Sequence, residues 1–126
     1  MIVLDTHAWI WLNDDDKRLS TTAREAIRRE DFLGVSSISL WEVSMLWERG
    51  RVELNRPLEA WLERACAQAK VRLLPITVGI GARTANLKIH GDPADRLIVA
   101  TALIHQCKLV TVDENITDAK VVDVIW

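Results

Sequence analysis

The feature that most constrains this chain is a repeated step, in which a short apolar run ends at a polar or acidic residue and gives way to a stretch of helical periodicity. Ile2-Val-Leu4 ends at Asp5-Thr6, and Trp9, Leu12 and their neighbours follow at helical spacing. Phe32-Leu-Gly-Val-Ser36 leads into a helical segment, about residues 39–49, that carries Glu42 in its first turn. Leu109-Val-Thr-Val112 ends at Asp113. Short, largely apolar runs of this kind are strands buried on both faces, and strands that alternate with helices build a parallel sheet covered on each side. The expectation is an α/β fold, a three-layer α/β/α sandwich around a central parallel sheet.

The remaining segments fit that plan. Ser20 is an N-cap candidate for a helix through Ala23, Ala26 and Ile27, and Gly50 stands where a helix C-cap belongs. Pro57 starts a helix with Leu58, Trp61, Leu62 and Ala65 at helical spacing. Residues 71–76 have strand character and precede a helix-like stretch interrupted by Gly79 and Gly81. Asp92-Pro-Ala-Asp95 opens a long apolar helix through Leu97, Ile98, Ala102 and Ile104, and Val121-Val-Asp-Val-Ile125 is a last strand. With 126 residues, 49% apolar and 27% charged, the chain is expected to form one globular domain over 1–126, which excludes disordered and fibrous classes. No apolar run spans a bilayer and no leader pattern opens the chain, so a cytoplasmic protein without a membrane partner is expected. Cys66 and Cys107 lie far apart with no Cys or His at ligand spacing, which argues for buried free thiols rather than a disulfide or structural zinc.

In open parallel sheets, ligands collect at the carboxyl ends of the strands. Asp5, Glu42 and Asp113 fall there, and Asp95 joins them from the mouth of the long helix. Glu42 has Ile38, Met45 and Leu46 on its own helix face, and Asp95 has Ile98 and Val99. An ionised carboxylate in such a stripe is costly, and several together repel, unless a cation compensates them. Hard oxygen ligands without Cys select Mg²⁺ or Mn²⁺ over zinc, and the chemistry such a site supports is phosphodiester hydrolysis. Each acid also has a local reading. Asp5 and Thr6 can cap the first helix, Ser39-Leu-Trp-Glu42 matches a capping box, and Asp113-Glu-Asn matches an Asx turn. Asp92, with Pro93 after it and Asp95 as reciprocal partner, reads as mainly a structural cap. Four separate caps, however, need not share one sheet edge. The formal charge of −2 does not exclude nucleic acid, because setting the four site acids aside turns the balance positive. His105 reads as a packing residue and His7 as a residue near the site's rim. Trp9, Trp41, Trp47 and Trp61 are expected in the core or an interface. Arg24, Arg28, Arg29, Arg49, Arg51 and Arg56 can hold phosphates along a groove or simply form solvated faces.

Taken together, Met1-Ile-Val-Leu-Asp5-Thr-His-Ala-Trp, Val35-Ser-Ser-Ile-Ser-Leu-Trp-Glu42-Val, His90-Gly-Asp-Pro-Ala-Asp95-Arg-Leu-Ile-Val-Ala-Thr-Ala and Leu109-Val-Thr-Val-Asp113 resemble PIN-domain proteins of the VapC toxin type over nearly the whole chain. The resemblance implies an Mg²⁺- or Mn²⁺-dependent endoribonuclease, the toxin of a type II toxin-antitoxin pair. Asp5, Glu42, Asp95 and Asp113 would be both its catalytic and its metal-binding residues. It implies a supporting hydroxyl at Thr111, and the residues themselves offer Thr6 and Asp92 as further supporting candidates. It also implies a homodimer, a small VapB-type antitoxin as partner, and tRNA or ribosomal RNA as substrate. A haloacid-dehalogenase-like phosphatase is the less favoured enzyme, because it needs a second Asp where this chain has His7. A catalytically silent PIN-fold binding module is the remaining alternative. The stretch from about residue 50 to 88 carries no motif and leaves the substrate undefined.

Overall fold

Strand β1 (Ile2–Leu4) turns Ile2 and Leu4 to one face and Val3 to the other, because successive strand side chains alternate, and this sorts the protein into two cores. In the computed structural model, which describes residues 1–126, β1 is followed by α1 (Thr6–Asn13), α2 (Thr21–Arg29), β2 (Leu33–Ser36), α3 (Ile38–Glu48) and α4 (Leu58–Cys66). Then come β3 (Val71–Leu74), α5 (Val78–Arg83) with a 3₁₀ turn at Thr84–Asn86, α6 (Pro93–Ile104), β4 (Leu109–Val110), α7 (Glu114–Ala119) and β5 (Val124–Ile125). All five strands are parallel, in the order β3-β2-β1-β4-β5, with Leu4 opposite Val35 on one side and Val110 on the other. The expected α/β/α sandwich is the observed fold.

Ile2 and Leu4 pack with Trp9 of α1, Ile27 of α2, Val43 of α3 and Trp61 of α4. Trp9 is fully buried and meets Trp61 edge-on, ring centroids 5.3 Å apart, while the Trp61 indole N–H donates to Asp14 Oδ1 at 3.0 Å. Trp9 Nε1 has no hydrogen-bond partner. Leaving it unpaired costs about 1–3 kcal/mol, which the roughly 4–6 kcal/mol from burying an indole outweighs. On the opposite face Val3 packs with Ile80 of α5, Ile98 and Val99 of α6, and Ile116 of α7. Gly34 of β2 lies under this side. A Cβ there would come within 2.7 Å of Leu74 Cδ1, so the residue's smallness lets β3 close on the sheet.

The elements end where local chemistry ends them. Ser20 Oγ accepts from Ala23 N at 3.0 Å, opening α2, and Gly50, at φ +67°, reverses the chain after α3. Ser37, not Ser39, precedes α3, so the capping box read at Ser39-Leu-Trp-Glu42 does not form and Glu42 is left for other partners. Strand β4 is shorter than residues 109–112, because the chain turns Thr111 inward and Val112 out to solvent before Asp113 caps α7. That helix escapes the sequence pattern, since it spans six residues with Ile116 alone buried. Trp41 and Trp47 are 55% and 48% exposed, which leaves them the interface part of their reading and not the core. Two other expectations are corrected. His105 is an exposed C-cap of α6 rather than a packing residue. Cys66 and Cys107 are free but only half-buried.

Because Ile98 is fully buried on the helix that begins beside Asp95, Ile98→Ala should cost about 2–5 kcal/mol in urea unfolding. A loss under 1 kcal/mol would mean that α6 packs more loosely than this core implies.

Candidate metal centre

Strand order reverses between β1 and β4, where neighbouring connections run away in opposite directions and leave a crevice at the strands' carboxyl ends. Asp5 follows β1 and Asp113 follows β4, so the two acids enter this crevice from adjacent strands. Glu42 comes from the first turns of α3, and Asp92 and Asp95 from the N-terminus of α6. All five carboxylates line one cavity of about 490 Å³. Glu42, Asp92 and Asp95 each place an oxygen within 4.8 Å of the others. Asp5 and Asp113 complete the rim of the same cavity without joining that closest trio.

Hydrogen bonds hold the acids in place. Thr111 Oγ1 donates to Asp5 Oδ2 at 2.5 Å and accepts from Asp113 N at 3.1 Å, tying the ends of β1 and β4 together. Asp5 Oδ1 accepts from Thr6 N at 2.8 Å. The Thr6 hydroxyl donates to Glu42 Oε1, and since its one hydrogen is spent there, Ser39 Oγ donates to Thr6 at 2.9 Å. Asp92 Oδ1 caps α6 through Asp95 N at 2.9 Å, and Asp113 Oδ1 caps α7 through Ile116 N at 3.1 Å. The capping readings of Asp5 and Asp92 are thus correct locally, and Asp113, read as an Asx turn, is instead the N-cap of α7, yet the same residues converge. Each cap uses one carboxylate oxygen, and helix N-termini already lie at this edge of the sheet.

None of the five carboxylates has a Lys, Arg or His partner within ion-pair distance. Asp5 and Glu42 are 7% and 6% exposed, so their ionised forms lack water as well as counter-charge. Burial pushes the Asp5 carboxyl up, against the hydrogen bonds from Thr111 and Thr6 that stabilise the anion. Burial pushes Glu42 up to about 7, opposed by the Thr6 hydroxyl and reinforced by the Asp5 and Asp92 charges. Asp95 is also pushed up to about 7, by burial first and then by Asp5, Asp92, Glu42 and Asp113. An oxygen-only donor set, crowded and without an ion-paired base, fits a hard divalent cation, which would relieve the repulsion and displace the retained protons.

Sequence reasoning underweighted Asp92, whose oxygen belongs to the closest trio. Its spacing of three from Asp95 across a helix start was the available signal. The part played by Gly91 carries no such signal. A Cβ at Gly91 would lie 3.1 Å from Asp95 Cβ and 3.2 Å from Asp95 Oδ2, so a side chain there would press on that carboxylate. His7 lines the cavity, as do Arg18, Arg49 and Arg51. Arg24 instead pairs with Asp15, and Arg28 and Arg29 with Glu25.

Residues 2–122 match the PIN domain family. The chain is 38% identical over 117 residues to ribonuclease VapC22 of Mycobacterium tuberculosis, covering 91% of this chain and 88% of that protein. Among solved structures it is similar to a toxin-antitoxin complex from Klebsiella pneumoniae, with a TM-score of 0.70 and 19% identity over 100% of this chain and 97% of that one. VapBC2 from Rickettsia felis, bound to a promoter DNA fragment, gives a TM-score of 0.70 at 13% identity over 98% and 97% of the two chains. VapC20 of Mycobacterium tuberculosis, a sarcin-ricin loop cleaving toxin, gives 0.68 at 18% identity over the full length of both. At these identities the solved structures speak for the fold.

The raised carboxyls set a pH dependence. The unfolded chain releases the Glu42 and Asp95 protons near their ordinary values, whereas the folded protein keeps them until about pH 7. Metal-free protein should therefore lose stability as pH rises from about 4.5 to about 7, by roughly 1–3 kcal/mol after allowance for the half-exposed Asp95. Urea unfolding in EDTA across that range measures it, and a flat profile would show that the charges are already compensated. Asp95→Asn keeps the backbone N–H that Asp92 caps while removing one repelling charge. It should leave metal-free protein at pH 8 as stable as the wild type or more so, by up to about 1 kcal/mol. A large loss would instead make the Asp95 carboxylate a structural bond.

Proposed function

The chain belongs to the PIN domain family and is a relative of the VapC ribonucleases, and on that premise we propose that it is an endoribonuclease hydrolysing RNA phosphodiester bonds at the acidic cavity. The observation that carries this reading is the convergence of five carboxylates, none ion-paired, at the β1/β4 crossover. Asp5, Glu42, Asp95 and Asp113 are the catalytic and metal-holding residues in this reading, with Asp92 a further oxygen donor at the α6 N-terminus. Mg²⁺ or Mn²⁺ is the fitting cofactor, by the oxygen-only chemistry of the donors. When bound, such a cation supplies positive charge that activates water and stabilises the departing oxygen of the phosphodiester.

The chain's own residues do the positioning. Thr111 holds Asp5 and the Asp113 backbone in one arrangement, so the two strand ends present their acids together. Thr6, itself oriented by Ser39, holds Glu42 against them. These hydroxyl bonds restrict how the two buried carboxylates can turn, which is the part that supporting residues play around a metal site.

The same reading makes the chain, as one domain, the toxin of a type II pair. Its partner would be a VapB-type antitoxin, its assembly a homodimer, and its substrate a structured RNA such as tRNA or ribosomal RNA, all in the cytoplasm. No helix is long and apolar enough to cross a membrane. Exposed Trp41 and Trp47 on α3, and Val112 beside the cavity, are apolar surface of the kind a protein partner covers.

Purified protein should cleave RNA with Mn²⁺ and stop with EDTA, and Asp5→Asn should fall to the EDTA level. Thr111→Val, which removes only the hydroxyl that orients Asp5, should lower cleavage roughly 10- to 100-fold. Sequencing RNA ends after pulse expression of wild type and Asp5→Asn side by side identifies the target. Identical end profiles from the two proteins would defeat the nuclease reading.

A further inference from the structure

A second cavity of about 570 Å³ adjoins the acidic one, and His7, Trp11, Arg18 and Arg51 line both. Its volume is in the range of pockets that take a small-molecule-sized group, here one nucleotide. Asp14, Glu53 and Asn55 give its wall the donors and acceptors that the edges of an unpaired base require. At the junction the Arg18 guanidinium is fixed by a two-point bond to Asp16, at 3.1 and 2.7 Å, and sits 5.1 Å from the centre of the Trp11 ring. Arg49 and Arg51 flank Gly50, whose left-handed turn at the end of α3 brings both onto the rim of the acidic cavity.

Arg49 and Arg51 are exposed and make no side-chain hydrogen bond or ion pair, even with carboxylates lining the same cavity. Cations placed to neutralise the acids would contact them. These stand off and remain available to an anion, and a guanidinium fork matches phosphate oxygens. We propose that a single RNA strand runs from the acidic cavity into the second one, with Arg49 and Arg51 gripping the phosphate next to the scissile one and Arg18 guarding the junction. This strand path rests on the ribonuclease reading above. It separates the arginines by role, since Arg28 and Arg29 pair with Glu25 in the last turn of α2, which leads to the opposite edge of the sheet.

The test measures binding of a fluorescein-labelled single-stranded RNA of mixed sequence, with Ca²⁺ in place of Mg²⁺, across a salt series. The Arg49→Gln/Arg51→Gln variant should bind about tenfold more weakly, and its slope of log K against log salt should fall by about 0.7, as the loss of one neutralised phosphate requires. Arg28→Gln should match the wild type. Wild-type affinity and slope in the double variant, or an equal loss in Arg28→Gln, would overturn the strand path. Loss of oligo-glutamate binding with RNA affinity unchanged would assign the arginines to an acidic protein partner and overturn it too. Cleavage with Mn²⁺, measured on the same proteins, separates the two claims. A wild type that cleaves, with KM unmoved in the double variant, keeps the nuclease and removes the path. A wild type that binds through these arginines yet never cleaves keeps the path and removes the nuclease.

Discussion

Electrostatic repulsion among carboxylates is the constraint around which this protein is organised. Two buried acids and three more at one sheet edge, without a basic partner, oppose folding rather than help it. The cost is met by the apolar packing of the two cores and by hydroxyl and backbone donors aimed at the oxygens. Such a concentration of unneutralised charge is a feature of a site kept for a cation.

The sheet order makes that concentration possible. A parallel sheet whose strand order reverses between β1 and β4 opens a crevice where no helix can sit directly over the strand ends. Helices α3, α6 and α7 then start beside that edge, each carrying an acid at or near its N-terminus. Asp5, Asp92 and Asp113 thus cap helices and line the acidic cavity at once. The carboxylate that satisfies orphan N–H groups with one oxygen turns its charge toward the crevice.

Much of this was legible in the chain. The apolar runs and their periods fixed the layers, since a strand buried on both faces and an amphipathic helix have different spacings. The acids at Asp5, Glu42, Asp95 and Asp113 were visible because each follows a strand or opens a helix, and because charge in an apolar stripe is anomalous. Less legible were the features that depend on neighbours distant in sequence. Trp41 and Trp47 have helical spacing among apolar residues but face out, because α3 buries Val43 and Leu46 instead. The six-residue α7 has too little periodicity to see. The arginines could not be sorted by sequence, since an ion-paired and a free guanidinium read alike.

The sequence by itself determined the fold class, through the spacing of its apolar runs, and the family, through motifs that resemble it, and it pointed to the acids by residue type and position. Only the tertiary structure decided that Asp92 joins Glu42 and Asp95 at close range, that Thr111 couples two strand ends, and that Arg49 and Arg51 are left unpaired. The reason is physical. Spacing along the chain fixes which way a side chain points from its own element, whereas charge, burial and reach depend on elements that meet only once the sheet has assembled.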